Sequence, residues 1–228
     1  MAKIKFGAVI TDSRGHIGGH SFKWSRYGNI MLRTPQPTKT QSPFNTRVRS
    51  HFVQFSKSWW SELTPTQRDG WRSLAAANPR PNVWGDEFPI TGLAYYLMLN
   101  TRLSLVDEPV LLDAPADQAV TSLATLSIAA SAPSTLALTF TASPTPADHR
   151  LYLFATPPLS PGITNFDGKY LFLGAAPLAT SSPYAAGSLY TARCGDLFID
   201  RQVAVRAALL NTDNGALSPF IIATDIVT

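Results

Sequence analysis

Apolar residues recur along this chain in three different rhythms, and each rhythm predicts a different kind of structure. In residues 1–42 the apolar runs are short and broken by glycine. Ile4, Phe6 and Ala8 alternate with Lys5, Gly7 and Val9, which predicts a strand. Ser13-Arg14-Gly15 and Arg26-Tyr27-Gly28-Asn29 carry turn signals, and the second leads into Ile30-Met31-Leu32. Thr34-Pro35-Gln36-Pro37-Thr38 reads as extended, since proline biases its predecessor away from the helix. So few apolar residues give little material for a core. The expectation is hairpins or an extended arm that relies on a partner for order.

From residue 43 the period lengthens. Ser42 is placed to cap a helix and Pro43 suits the first helical position. Phe44, Val48, Phe52, Phe55 and Trp59 follow at spacings of 4, 4, 3 and 4, which predicts one buried face. Thr64 and Gln67 have capping-box spacing around Pro65, and Trp71, Leu74 and Ala75 supply the apolar face of a second helix. Asn78-Pro79-Arg80-Pro81 ends it. A third helix is expected after Thr91, with Leu93, Tyr96, Leu97, Asn100 and Leu103 along one side. The predicted helical core is Phe44, Val48, Phe52, Phe55, Trp59 and Trp71.

After a linker-like stretch the period falls to two. Leu136, Leu138 and Phe140 alternate with Ala137, Thr139 and Thr141, and Val203, Val205, Ala207 and Leu209 alternate with Ala204, Arg206 and Ala208. Leu151 and Leu153 do the same, and further strands are expected at 121–129, 169–175, 187–193 and 219–227. Turns such as Asp167-Gly168 and Asp213-Asn214-Gly215 separate them. About seven short strands in roughly 110 residues predict an antiparallel sandwich. The stretch from Asn211 to Ser218-Pro219 resembles the corner between the last two strands of fibronectin type III-like domains. The expected fold class is therefore α+β and multidomain. It has a basic β-hairpin or extended arm at 1–42, a small three-helix region at 43–108, a linker at 109–118 and an Ig-like β-sandwich at 119–228.

Charge changes the picture at one end only. Residues 1–60 hold ten bases against Asp12 alone, a local charge of +9, whereas 61–108 carry −2 and 109–228 carry −3. The positive charge is thus a local property, and it points to an acidic partner. Lys3, Lys5, Arg14, Lys23, Trp24, Arg26, Tyr27 and Arg33 are the residues expected to dock it. Charged residues make up 15% of the chain, low for a globular protein, and with 18 prolines this suits turn-rich β-structure or a surface covered by neighbours. The single Cys194 excludes an internal disulfide framework. The N-terminus does not read as a signal peptide, and no stretch approaches the roughly 18 apolar residues of a membrane span. The chain reads as soluble, with no membrane partner.

Catalytic motifs are missing. His16, His20, His51 and His149 are the four histidines; His16 and His20 are four apart, but Gly18-Gly19 between them argues against a helical metal site. The glycines near Arg14 lack the order of a phosphate loop. Asp86 and Glu87 are adjacent, so in a strand they would point apart; no glutamate follows Glu108, and the aspartates mostly sit in turns, which argues against the paired carboxylates of sugar cleavage. The expectation is no enzyme, no cofactor and no metal. Two binding readings stand beside protein docking. Phe22-Lys23-Trp24-Ser25-Arg26-Tyr27 interleaves aromatics with bases, as single-stranded nucleic-acid binders do. Trp59-Trp60, Leu63-Thr64-Pro65, Gln67-Arg68 and Trp71 resemble the three-helix HMG boxes, although the clustered lysines of such boxes are absent. Trp84, Tyr152, Tyr170 or Tyr190 would be the residues to stack on sugars in an adhesion module.

The order of motifs carries a resemblance. Asp12-Ser13-Arg14-Gly15-His16-Ile17-Gly18-Gly19 follows a basic start. Pro43-Phe44-Asn45-Thr46-Arg47 then opens a helix that contains Trp59, followed by Leu63-Thr64, Gln67-Arg68 and Trp71, and a sandwich ends the chain. This resembles proteins encoded in the structural regions of tailed phages and prophages. The resemblance implies a virion structural protein made in the bacterial cytoplasm and present in several copies. It would be capsid-associated, as decoration or minor capsid protein, and partnered by major capsid or neck and tail proteins. The alternatives are a head–tail connector or tail-associated protein, a nucleic-acid-binding architectural protein, and a sugar-binding adhesion module.

Overall fold

A computed structural model describes residues 2–3, 15–17, 20–26, 28–33, 42–81, 85–141 and 143–228. The strand expected around Ile4–Ala8 and the extended stretch at 34–38 lie outside these residues.

Near the N-terminus, β1 (Ala2–Lys3), β2 (Gly15–Ile17), β3 (His20–Ser25) and β4 (Gly28–Arg33) form one antiparallel sheet in the order β1-β4-β3-β2. Ser25 pairs with Gly28, so β3 and β4 are antiparallel neighbours across the expected turn. Gly28, the first residue of β4, has φ +101°, a backbone state that favours glycine. Among the described residues only Ser21 of this sheet is buried. Among the described residues, this sheet has no apolar core of its own.

Helix α1 (Pro43–Ser61), α2 (Pro65–Ala77) and α3 (Gly92–Leu105) follow, with β5 (Arg80–Pro81) and β6 (Glu87–Phe88) as a small pair between the last two. All three helices begin where their caps predict. Ser42 Oγ accepts from the Asn45 N–H, Thr64 and Gln67 complete a capping box, and Thr91 Oγ1 accepts from the Ala94 N–H. Tyr96 of α3 is the hub of the core. Phe55, Trp59 and Trp71 lie 6.3, 5.6 and 5.3 Å from its ring, two of them edge-on. Burial pushes its hydroxyl up to about 12, assisted by the charge of Glu62.

Residues 107–118 are tied down rather than trailing. The buried Asn100 side chain holds the backbone of Leu111 from both sides, accepting its N–H at 2.7 Å and donating to its carbonyl at 3.2 Å. Trp71 Nε1 donates to the Leu112 carbonyl at 2.9 Å. A linker-like composition here conceals a strap that closes the underside of the helices.

The last third contains β7 (Thr125–Ser131), β8 (Thr135–Thr141), β9 (His149–Ala155), β10 (Leu171–Leu178), β11 (Tyr184–Ala185), α4 (Gly187–Cys194), β12 (Gln202–Asn211) and β13 (Ile221–Ile226). They make two antiparallel sheets, β11-β8-β7 and β10-β9-β12-β13. One apolar core lies between them, with Leu136, Leu138, Leu151, Leu153, Val205 and Leu209 fully buried. Most expected strands are present. The stretch 187–193 is not a strand but α4. Tyr190 is fully buried and donates its hydroxyl to the Thr156 carbonyl at 3.0 Å. A Cβ at Gly187 would overlap the Ser134 carbonyl oxygen, so only glycine lets this helix start so close to β8. The molecule as a whole is mixed α and β, with four helices and four antiparallel sheets among the described residues.

The corner between β12 and β13 joins sheet to helices. Asn211 and Asn214 both donate to the Ala119 carbonyl, and the Gly215 carbonyl accepts from Arg102 of α3 at 3.4 Å. A third apolar cluster of Val106, Tyr152, Phe172 and Leu210, joined by Phe44, fills the space beside this joint.

Candidate docking surfaces

Alternation places the side chains of the N-terminal sheet on two faces. Cross-strand pairing of His20 with Arg33, Phe22 with Met31 and Trp24 with Asn29 puts His20, Phe22, Trp24 and Arg33 on one face. Lys23, Ile30 and Leu32 lie on the other. Trp24 is 63% exposed, and Lys23, Arg26 and Arg33 are exposed as well. Lys3 lies in β1, opposite Ile30. Lys5, Arg14 and Tyr27 lie outside the described residues. The expected docking residues that are described therefore do not form one patch. Trp24 and Arg33 share a face, and Lys23 points away from them.

The helices carry the second surface. Of the predicted helical core, Phe55, Trp59 and Trp71 are buried. Val48 is half-buried, and Phe44 lies in the joint against Phe172, at a centroid distance of 5.6 Å. Phe52 is the correction: it is 54% exposed. The helix is turned so that His51 takes the inward position. His51 stacks on Phe55, and Ser104 of α3 lies 2.8 Å from its Nδ1. A histidine with a polar partner across the interface holds the rotation that a spacing rule cannot see. Phe52 is turned outward as a result.

Outward-facing Phe52 has company. Val53 is 52% exposed and Trp60 is 68% exposed, seven residues apart on the same side of α1. Three depressions run together here. One, of about 740 Å³, lies between Phe52, Val53, Lys57 and Trp60. A second, of about 490 Å³, joins Phe52 to Leu93, Leu97 and Met98 of α3. A third, of about 410 Å³, joins Trp60 and Leu93 to Arg26 in the N-terminal hairpin loop and to Arg72. The result is a continuous aromatic and apolar face over α1 and α3, which the basic hairpin loop reaches. Its rim is basic: Arg49 and Lys57 are exposed on α1, and the Arg68 guanidinium sits 5.7 Å from the Trp60 ring. Contiguous exposed apolar surface of this kind, rimmed by charge, marks interaction sites. Sequence reading missed Val53 and Trp60 as a site. The available signal was their spacing of seven, which repeats on a helix face, off the stripe that runs through Phe55 and Trp59.

Two further groups are held within the fold. His149 is buried, and both ring nitrogens are used. Nδ1 lies 2.8 Å from Asp148 Oδ1, and Nε2 accepts the Thr121 N–H at 3.2 Å. This fixes the Nδ1–H tautomer. The hydrogen bond from His149 holds the Asp148 carboxyl below its ordinary range, outweighing a smaller rise from burial. Cys194 is half-buried on α4, and burial pushes its thiol up to about 11, leaving it protonated and unreactive at neutral pH. Among the described residues no group of three histidines, cysteines or carboxylates is placed to hold a metal ion. No described helix is long and apolar enough to cross a membrane. Of the residues considered for sugar stacking, Tyr152 and Tyr190 are buried and Trp84 lies outside the described residues. Tyr170 is half-buried with Arg206 4.5 Å from its ring. The geometry thus offers broad faces for docking, and the protein's comparison with others adds no name to them: no family model, no curated protein and no solved structure matches the chain.

Proposed function

We propose that this chain is a structural component of a phage particle, capsid-associated, that works by docking on neighbouring virion proteins. The observation that carries this reading is the face where exposed Phe52, Val53 and Trp60 join half-buried Leu93 and Met98, bordered by Arg26, Arg49, Lys57 and Arg68. An apolar centre with a basic rim fits an acidic protein partner. The centre supplies desolvated contact area and the rim steers the encounter. The N-terminal sheet, whose described residues form no apolar core, supports a role as the second anchoring element. The C-terminal unit is read as a fibronectin type III-like module. The strand orders β11-β8-β7 and β10-β9-β12-β13 support that topology, with α4 as an addition between the last strand of one sheet and the next of the other. The fold alone assigns no activity to it.

The test is incorporation into particles. A Val53→Ser, Trp60→Ser variant changes only exposed residues and should melt like the parent protein while its incorporation falls severely. Deletion of residues 1–42 should likewise abolish incorporation and leave the C-terminal unit folded. Normal incorporation of both variants sinks the docking reading. Copy number then separates a shell position from the small symmetric rings of neck and tail.

A second reading has one observation in its favour. His20, Phe22, Trp24 and Arg33 share a face of the N-terminal sheet, so bases could stack there beside phosphate contacts. A gel shift over a salt series decides it. Nucleic-acid binding should weaken with a log–log slope of about −0.9 per phosphate contacted.

A further inference from the structure

The joint between the helices and the four-stranded sheet is not fully closed. A cleft of about 520 Å³ opens there, walled by Phe44 of α1, Phe172 of β10 and Leu189 of α4. Its polar lining is dominated by arginine: Arg47 from α1, Arg150 from β9 and Arg193 from α4. Two of the three are neutralised. Arg47 meets Asp107 at 2.7 Å, and Arg150 Nε donates to Glu108 Oε1 at 2.6 Å. Arg193 is different. Among the described residues no carboxylate pairs with it. Its guanidinium lies 5.1 Å from the Phe44 ring, and its Nε is buried without a hydrogen-bond acceptor. A half-buried cation with an unused donor is costly unless something answers it.

The opposite wall is shaped to leave room. The pairing of β10 with β9 slips between Phe172 and Gly174, and Gly174 has φ +136°. A Cβ at Gly174 would meet only Leu189 Cδ2, at 3.8 Å, so glycine here keeps space free that a side chain would take.

We propose that this cleft binds a carboxylate carried on an apolar or aromatic group, with Arg193 receiving the charge. A guanidinium presents paired N–H groups that match a carboxylate, and Phe44, Phe172 and Leu189 receive the attached apolar group. The site has the usual anatomy of a ligand pocket: concave, mostly apolar, with few polar groups, between two packed units. One uncompensated cation favours a monoanion. A phosphate dianion would meet Asp107 at the cleft with only one free positive charge to hold it. The same chemistry is offered by a small free acid and by a polypeptide that ends in, or displays, a carboxylate next to an aromatic residue.

The experiment uses the full chain and follows backbone amide resonances during titration. The probes are 3-phenylpropionate, its neutral amide 3-phenylpropionamide, and an acetylated tripeptide ending in a free phenylalanine carboxylate. The acids should shift the amides of Arg193 and Gly174, and the amide should bind at least about tenfold more weakly, the value of one charged hydrogen bond. Arg193→Gln should lose a similar factor and Arg193→Lys should keep part of the binding. Tighter binding of the tripeptide assigns the site to a polypeptide, and tighter binding of phenylpropionate assigns it to a small acid. Absence of shifts at these residues with either acid overturns the proposal. Equal binding of acid and amide also overturns it, and that comparison needs no variant to fold.

Discussion

The N-terminal sheet and the C-terminal pair of sheets are built from the same unit, the antiparallel hairpin, and differ in what lies beneath them. The C-terminal sheets share one core, which every second residue of β8, β9 and β12 enters. The N-terminal sheet has no second layer among the described residues, and its aromatics Phe22 and Trp24 stay partly or largely in solvent. Alternation makes a strand in both cases. Burial supplies most of the free energy of folding, and among the described residues only the C-terminal sheets have it in quantity. The lesson is that hairpin chemistry alone gives a shape, and a second layer gives stability. A single-layer sheet with exposed aromatics and bases is well suited to acquire its second layer from a partner.

The comparison can be broken by substitution. Leu209→Ala, in the middle of the C-terminal core, should cost about 3 kcal/mol in urea unfolding, because the fully buried site leaves a cavity. Trp24→Ala, a larger truncation, should cost within about 0.5 kcal/mol, because its side chain is already in water. Similar losses for the two would show that the N-terminal sheet has a hidden core. A smaller effect sharpens the role of the joint. Gly215 has φ +68°, and a Cβ there would come within 3.0 Å of Leu99 Cβ on α3. Gly215→Ala should therefore cost about 1–3 kcal/mol, from backbone strain and the clash together. The loss should appear in the melting of the helices as well as of the sheets.

The smallest expected effect is a pH slope. The Asp148 carboxyl is held below its ordinary range chiefly by His149, so the folded state prefers the carboxylate. Its contribution is present above the unfolded carboxyl pKa of about 4 and is lost as pH falls through the lower folded value. Between neutral pH and about pH 3 the Asp148→Asn variant should therefore lose less stability than the parent chain. Parallel slopes would show that the pair contributes nothing.

Much of the secondary structure was legible because local chemistry decides it. Ser42-Pro43, Thr64-Pro65 with Gln67, and Thr91 start helices through hydrogen bonds to their own first turns. Such signals act within four residues and need no tertiary context. Where a choice depended on a distant partner, the pattern misled. Phe52 and His51 are one position apart on α1, and apolarity favours Phe52 for the core. Ser104, more than fifty residues away, draws His51 inward instead. The stretch 187–193 alternates well enough for a strand, but the space beside β8 and the Thr156 carbonyl select a helix with Tyr190 inside. The docking face was legible only in part. Its basic rim stands out in composition, whereas its apolar centre follows from the rotation of α1.

The sequence by itself determined the three rhythms, the helix starts, most strands and the concentration of positive charge in the first sixty residues. Each depends on neighbours close in the chain, where propensity, capping and alternation operate. Only the tertiary structure decided which side of α1 faces water, that residues 107–118 form a strap bound by Asn100 and Trp71, and that Arg193 lies beside Phe44 with no carboxylate partner among the described residues. Those outcomes depend on contacts between residues far apart in sequence. Their energies come from burial and pairing that exist only once the chain has closed on itself.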